Sequence, residues 1–340
     1  MTRTPFRTAL LAAALCLTSA AANAQTLSTF PESDKTVTPV YTFINSATKT
    51  LDMTMYELVD TTTTKDLIAL AKKGVAVRVI LDQNNEKSAN TAAYKALTAG
   101  KVSCHWANPI YTVTHQKTIT VDSKTSLILT LNLDSEDYST SRDFSITDSD
   151  AKDVAEIESV FNADFTNATV TPTAADSLIW SPNLAQAALV SFINKATHTL
   201  LVENEEMSSS TIVTALSNRA KAGVAVTVIM NDTTSYATEF ATLTKAGVKV
   251  YTYKDSGTIL YIHAKVMVLD YGYADANMYI GSINFSTASL TANRELGQTT
   301  QNSTVLSALD KVLTSDIQGG TLWTAAANRA LSRKAPRRRP

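Results

Sequence analysis

The sequence is short of the residues that would hold or equip a protein by covalent or metal chemistry. Of its 340 residues two are cysteines, Cys16 and Cys104, and four are histidines. Cys16 falls in an N-terminal segment that reads as removable, so Cys104 stands alone and the fold must rest on burial without a disulfide. Cys104-His105 has no companion at ligand spacing, which argues against zinc, and no metal or cofactor is expected. The apolar stretch Ala9 to Leu17 is too short to cross a bilayer comfortably. With Arg3 and Arg7 before it and Ala22-Asn23-Ala24 after it, 1–24 reads as a secretory signal cleaved before Gln25, and a secreted or periplasmic location follows. Leu15 stands where a lipoprotein site needs a small residue before Cys16. Positive charge is also lacking. The formal net charge is −1; it becomes −3 without Arg3 and Arg7, and −8 once Arg333, Lys334, Arg337, Arg338 and Arg339 of a basic tail are set aside. An acidic body is not the footprint of a nucleic-acid binder, so no specific nucleic acid is expected as partner.

What is present is a duplication. Val40, Phe43, Ile44 and Ala47 fall at helical spacing, Thr50 to Tyr56 reads as a strand, and a second helix ends near Gly74 before the β-branched strand Val75 to Leu81. Leu189, Phe192, Ile193 and Ala196 repeat the first helix, Leu200 to Glu203 its strand, and AKAGVAVTVIM at 220–230 echoes AKKGVAVRVIL at 71–81. A repeat this long is a duplicated domain, and alternating helices and strands make each copy α/β. The division expected is a signal over 1–24, a first lobe over 36–165, a proline-containing linker over 166–183, a second lobe over 184–328 and a basic tail over 329–340. A monomer is expected.

Each copy carries H-x-K-x4-D: His115, Lys117 and Asp122 in the first, His263, Lys265 and Asp270 in the second. Residues two apart on a strand share a face, so each imidazole and its ammonium point to one spot. Further on come Thr130, Asn132 and Asp143 in the first copy, and Gly281, Ser282, Asn284 and Glu295 in the second. Taken singly, a His beside a Lys is usually a surface pair; two copies in matching repeats are a strong signal. His105 and His198 have no repeated partner and read as structural.

This double pattern resembles the phospholipase D superfamily, over nearly all of the mature chain. The resemblance implies two lobes, each a β-sheet flanked by helices, with one active site at their pseudo-two-fold interface. It implies that one His attacks phosphorus to give a phosphohistidine while the other protonates the leaving alcohol and then activates water. His115 is assigned as nucleophile and His263 as acid and base, although the pseudo-symmetry leaves the two interchangeable. Lys117 and Lys265 would neutralise the phosphoryl oxygens. Glu295 stands where the family's orienting Glu belongs, and Asp143 takes that place in the first copy, to hold an imidazole's second nitrogen. Thr130, Asn132, Ser282 and Asn284 are expected to bind substrate, and Asp122 and Asp270 to fix turns near the site. Leu129-Thr130 departs from the Gly-Ser of the second copy.

The expected reaction is hydrolysis of a phospholipid to phosphatidic acid and free head group, with peripheral membrane contact through the tail. A secreted metal-independent nuclease of the same superfamily is the first rival and an inactive binding module the second. Trp106, Tyr111, Tyr138, Tyr261 and Tyr279 cluster near the motifs, as an acyl rim, a base-stacking wall or plain core. Glu203 to Glu206 either line the cleft, as Tyr56-Glu57 would in the other copy, or are surface acids.

Overall fold

The computed structural model describes residues 25–31, 36–173, 177–254 and 260–325. The signal expected over 1–24 and the basic tail over 329–340 lie outside the described residues.

The first lobe runs β1 (Leu27–Phe30), α1 (Thr38–Asn45), β2 (Thr50–Met55), α2 (Thr61–Lys72), β3 (Ala76–Leu81), α3 (Lys87–Ala99), β4 (Ser103–Trp106), β5 (Thr118–Val121), β6 (Thr125–Leu129), β7 (Ser141–Asp148) and α4 (Ala151–Phe165). The second runs β8 (Leu178–Ser181), α5 (Ala185–Lys195), β9 (Thr199–Asn204), α6 (Ser210–Lys221), β10 (Ala225–Asp232), α7 (Ala237–Lys245), β11 (Lys249–Lys254), β12 (Tyr261–Ile262), β13 (Lys265–Leu269), β14 (Asn277–Gly281), α8 (Thr287–Thr291), β15 (Glu295–Thr300), α9 (Ser303–Gly319) and β16 (Thr321–Leu322). Each lobe is thus α/β, and the two sheets have matching orders: β1-β7-β6-β5-β2-β3-β4 and β16-β11-β10-β9-β13-β14-β15-β8, the second written from its opposite edge.

The repeat is physical down to the helix ends. Asp60 caps α2 by accepting from Thr62 N and Ser209 caps α6 by accepting from Ile212 N; Asp150 and Asn302 do the same for α4 and α9. Gly74 and Gly223 follow α2 and α6 at φ +95° and +94°, the left-handed turn that lets the chain reverse into β3 and β10.

Three apolar layers hold the lobes. Leu67, Leu70 and Leu97 cover the outer face of the first sheet, and Leu189, Ile212 and Phe240 that of the second. The middle layer is shared: Ile128, Phe144 and α4's Ile157 from the first lobe join Trp180, Val266, Ile280 and α9's Leu309 from the second. Helices α4 and α9 therefore sit between the sheets, and the lobes share one core.

Two segments differ from the sequence reading. The polar lead after Gln25 contains β1, antiparallel to β7. The stretch read as a linker over 166–183 contains β8, antiparallel to β15, because the alternate residues Leu178 and Trp180 point into the middle layer. Trp180 is fully buried and its Nε1 donates to Glu156 Oε1 of α4 at 2.8 Å. Trp180→Ala should therefore lower unfolding free energy by about 3–5 kcal/mol, measured by urea denaturation.

Candidate active site

The His-Lys pairs stand at the ends of strands rather than within them. His115 and Lys117 are extended residues just before β5, while His263 lies between β12 and β13 and Lys265 opens β13. Extended backbone keeps the period of two, so each Lys folds back beside its His. Lys117 Nζ donates to the backbone carbonyl of His115 at 2.9 Å, and Lys265 Nζ to that of His263. Both lysines are essentially buried.

What brings the pairs together is an exchange of edges. The segment before each motif lies along the first residues of the other lobe's last long strand. Tyr261 and Ile262 pair in parallel with Ser141 and Arg142, and Thr114 bridges to Arg294. His263 N donates to Arg142 O at 3.2 Å and His115 N to Arg294 O at 2.9 Å. The two arginines are anchored across the lobes as well: Arg142 makes a fork on Asp316 of α9 (Nε–Oδ2 2.7 Å, Nη2–Oδ1 2.9 Å). Arg294 reaches Asp164 of α4, with Nε 2.9 Å from Oδ2 but poorly aligned, and Nη2 donating to Oδ1 at 3.2 Å. Neither arginine was singled out from sequence; their identical offset with Asp143 and Glu295 was the available signal.

The consequence is that each orienting carboxylate serves the opposite lobe's histidine. His115 Nδ1 lies 2.9 Å from Glu295 Oε2, and His263 Nδ1 lies 2.9 Å from Asp143 Oδ1. Such a contact places the proton on Nδ1 and turns Nε2 toward the cleft. Asn293 Nδ2 holds the other oxygen of Glu295 at 2.9 Å. Thr130 Oγ1 donates to Asp143 Oδ1 at 2.5 Å. A cavity beside His263 is lined by Asn132 and Asp143 of the first lobe, so both halves meet at one place.

Two of the expected substrate-binding residues are placed elsewhere. Thr130 and Ser282 are fully buried; Thr130 supports Asp143, and Ser282 bonds Leu296 while its carbonyl faces His115 Nδ1 at 3.2 Å. Asn132 and Asn284 do reach the cleft, donating to Glu57 Oε2 and Glu205 Oε2, each at 3.3 Å. Asp122 and Asp270 stand at the far ends of β5 and β13. Asp122 accepts from the backbone N–H groups of Thr48, Lys49 and Thr50, and Asp270 from those of Thr197, His198 and Thr199. Each ties its motif strand to the turn preceding β2 or β9.

The Leu129 departure is a packing exchange on the outer face. A Cβ on Gly281 would come within 2.4 Å of Gly297 Cα, and one on Gly297 within 2.3 Å of the Tyr279 ring. Where the second lobe uses one large ring over two glycines, the first uses Leu127, Leu129 and Ser145.

Among the clustered aromatics Tyr261 donates to Glu205 Oε1 at 3.0 Å, and Tyr138 lines the cavity beside His263. Trp106 stacks on Tyr94 with centroids 4.2 Å apart, Tyr111 faces Arg294, and Tyr138 and Tyr279 are core. Tyr56 is the ring that matters: it meets His115 edge-on at 4.6 Å, and Lys117 Nζ lies 4.8 Å from its centroid. Of Glu203 to Glu206, Glu205 enters the site, with Oε2 3.0 Å from Lys265 Nζ and 3.6 Å from His263 Nε2. Glu203 faces the middle layer, where burial raises its carboxyl well above the usual range. His105 and His198 stack on Phe165 and Tyr273, away from the site.

Burial sets the protonation states. It lowers His115, helped by the Lys117 charge, which favours the neutral ring. Burial and then Lys265 push Lys117 down to about 7. Burial would raise Glu205, but Lys265 and His263 hold it well below the carboxylate range. Glu295 is likewise lowered against burial by His115. Lys117 carries its charge below its pKa, so kcat/KM for a phosphodiester should fall as pH rises through about 7. A bound phosphoryl anion favours the charged ammonium, so the alkaline limb of kcat should lie higher. Coincident limbs in the two profiles would contradict this.

Among solved structures, a polyphosphate kinase from Porphyromonas gingivalis is similar with a TM-score of 0.69 at 13% identity, over 86% of this chain and 47% of that one. The chain thus spans about half the length of that kinase. A phosphatidylserine synthase from Haemophilus influenzae Rd KW20 is similar with a TM-score of 0.67 at 13% identity, over 87% of each chain. No curated protein sequence matches. A family model described as "Cardiolipin synthase, PLD-like domain" matches residues 40–165 and again 189–317. Each match takes in one lobe with its His-Lys pair, and the chain belongs to this phospholipase D-like family of phosphodiester-acting enzymes.

Proposed function

We propose that the protein is a phospholipase D-type hydrolase that cleaves the head-group phosphodiester of phospholipids through a phosphohistidine. The observation that carries this reading is the pair of imidazoles, each held at Nδ1 by the other lobe's carboxylate and flanked by buried lysines. The same geometry distinguishes the two. Among the described residues His115 Nε2 has no hydrogen-bond partner, whereas His263 Nε2 faces Glu205 and Nδ1 faces Asp143. A ring with a carboxylate near each nitrogen, at 2.9 and 3.6 Å, is the better placed of the two to pass a proton to and from substrate. His115 is accordingly the nucleophile and His263 the acid.

His115 Nε2 attacks phosphorus, and the bond from phosphorus to the head-group oxygen breaks as His263 gives that oxygen its Nε2 proton. His263 then accepts a proton from water, whose oxygen attacks phosphorus and breaks the P–N bond, releasing phosphatidic acid. Lys117, Lys265, Asn132 and Asn284 surround the non-bridging oxygens. Glu295 and Asp143 steady the imidazolium formed at each stage.

Two features support a lipid over a nucleic acid. The cleft carries acids, Glu57 and Glu205, beside its two lysines, which disfavours a polyanion. Next in chain to Glu57, Leu58 and Val59 begin an apolar groove of about 350 Å³ between α2 and α3, lined also by Ile68, Ala89 and Ala93 and suited to an acyl chain. We also propose that the protein acts outside the cytoplasm and that its tail recruits it to anionic membranes, each basic residue contributing about 1 kcal/mol. Phosphatidylcholine vesicles doped with anionic lipid should be cleaved faster than single-stranded DNA. Deleting residues 333–340 should weaken vesicle binding at low salt and spare a soluble diester. Efficient DNA cleavage with inert vesicles would move the activity to a nuclease, and equal vesicle binding by both proteins would leave the tail a solvated end.

A further inference from the structure

The two half-sites are not equivalent, and the difference lies in one side chain. Glu205, one residue past β9, takes the place that Tyr56 holds one residue past β2, and the first lobe's cleft acid is Glu57, one residue further on. Glu57 touches Asn132 alone among the cleft groups, while Lys117 turns to its own His115 carbonyl and the Tyr56 ring. Glu205 instead gathers the second half-site onto one oxygen: Lys265 Nζ at 3.0 Å, Asn284 Nδ2 at 3.3 Å and His263 Nε2 at 3.6 Å converge on Oε2. Tyr261 holds Oε1 at 3.0 Å. The groups that meet on Oε2 are those assigned above to a phosphoryl oxygen and to the leaving-group proton. The carboxylate oxygen therefore stands where a substrate oxygen must go.

We propose that Glu205 is a built-in competitor for the phosphoryl group and selects substrate by charge. A phosphate group binds by displacing the carboxylate from Lys265 and His263, and the displaced charge stays nearby, held on Tyr261. A singly charged diester meets two ammonium groups and one carboxylate, a balance it can complete. A doubly charged monoester adds a second negative charge beside Glu205 and is rejected. The lost contact is a charge-assisted one, strong enough to move affinity measurably. The first half-site lacks this counter-charge in full, because burial, with Glu86 and Asp134 nearby, lifts Glu57 to about 7. The inference rests on the phosphodiesterase reading, since it assigns a selectivity to that same cleft.

The test uses a soluble aryl diester as substrate and phenyl phosphate as competitor at pH about 6.5, where a phosphate monoester is mostly doubly charged, its second pKa being about 6, while Lys117 and Glu57, both at about 7, keep their protons for the most part. Glu205→Gln should tighten inhibition by phenyl phosphate at least about tenfold while changing KM for the diester less than about threefold; the split, not the absolute rate, is the readout. Glu205→Asp, which draws the carboxylate back from Lys265, should move the inhibition constant in the same direction, and Glu57→Gln should leave it within about twofold. An unchanged inhibition constant in both Glu205 variants would overturn the proposal, as would equal tightening of monoester and diester. Failure of the reading beneath it looks different: the wild-type protein would then turn over no diester at all.

Discussion

His115→Ala is expected to reduce diester turnover on the order of 10⁵-fold, because nucleophile, acid and orienting carboxylates act as one unit whose parts do not contribute additively. The variant should keep its fold: His115 lies at a strand entrance, and its backbone bond to Arg294 O survives the substitution. His263→Ala should be nearly as slow on a lipid, whose alkoxide needs a proton to leave. A nitrophenyl leaving group needs none, and there the two variants should part. His263→Ala should still form the P–N bond and accumulate an acid-labile phosphopeptide containing His115, since water is no longer activated for the second step. His115→Ala should form no adduct with either substrate. A phosphopeptide containing His263 would reverse the assignment of roles, and near wild-type turnover by His115→Ala would remove the two-lobed site altogether.

The second large effect belongs to Glu295→Gln, expected to cost roughly 10²–10⁴-fold in kcat, as loss of the carboxylate behind a catalytic imidazole does elsewhere. Its diagnostic value is in the partner. Glu295 is fully buried against His115 at 2.9 Å, and Asn293 secures its other oxygen. In the background of His115→Ala the further loss from Glu295→Gln should be close to nothing, whereas Asp143→Asn should couple to His263→Ala in the same way. Coupling within a lobe, His115 with Asp143 and His263 with Glu295, would contradict the crossed arrangement. Double-mutant cycles on kcat read this directly.

Much of the fold and of the site was legible in the chain, and the illegible part has a common cause. The helices, their caps and the glycines at φ +95° and +94° follow from neighbours within a turn of one another, and they recur in both copies. So does the approach of Lys117 to His115 and of Lys265 to His263, which needs only the two-residue period of extended backbone. Leu178 to Ser181 reads as linker in the chain because a four-residue strand buried on both faces looks like any short apolar run until a sheet edge is there to receive it. Thr130 and Ser282 looked like substrate ligands because they carry hydroxyls near the motif; the register of β6 against β7 and of β14 against β15 turns them inward.

Residue order along the chain settled which groups the enzyme has, two imidazoles, two ammonium groups and two carboxylates at matched offsets, because those spacings are local and act over a few ångströms of one strand. Which carboxylate holds which imidazole was settled elsewhere. It depends on Tyr261 and Ile262 lying along β7 and Thr114 along Arg294, on the fork of Arg142 onto α9 and the ion pair of Arg294 with α4, and on a shared apolar layer that sets the lobes at that distance. The same packing lowers Lys117 and His115 by burial, whereas the pairing of β9 with β13 inside the second lobe brings Glu205 onto Lys265. Desolvation and cross-lobe contact are properties of the assembled interface, and residues more than a hundred positions apart acquire them only when the lobes close on each other.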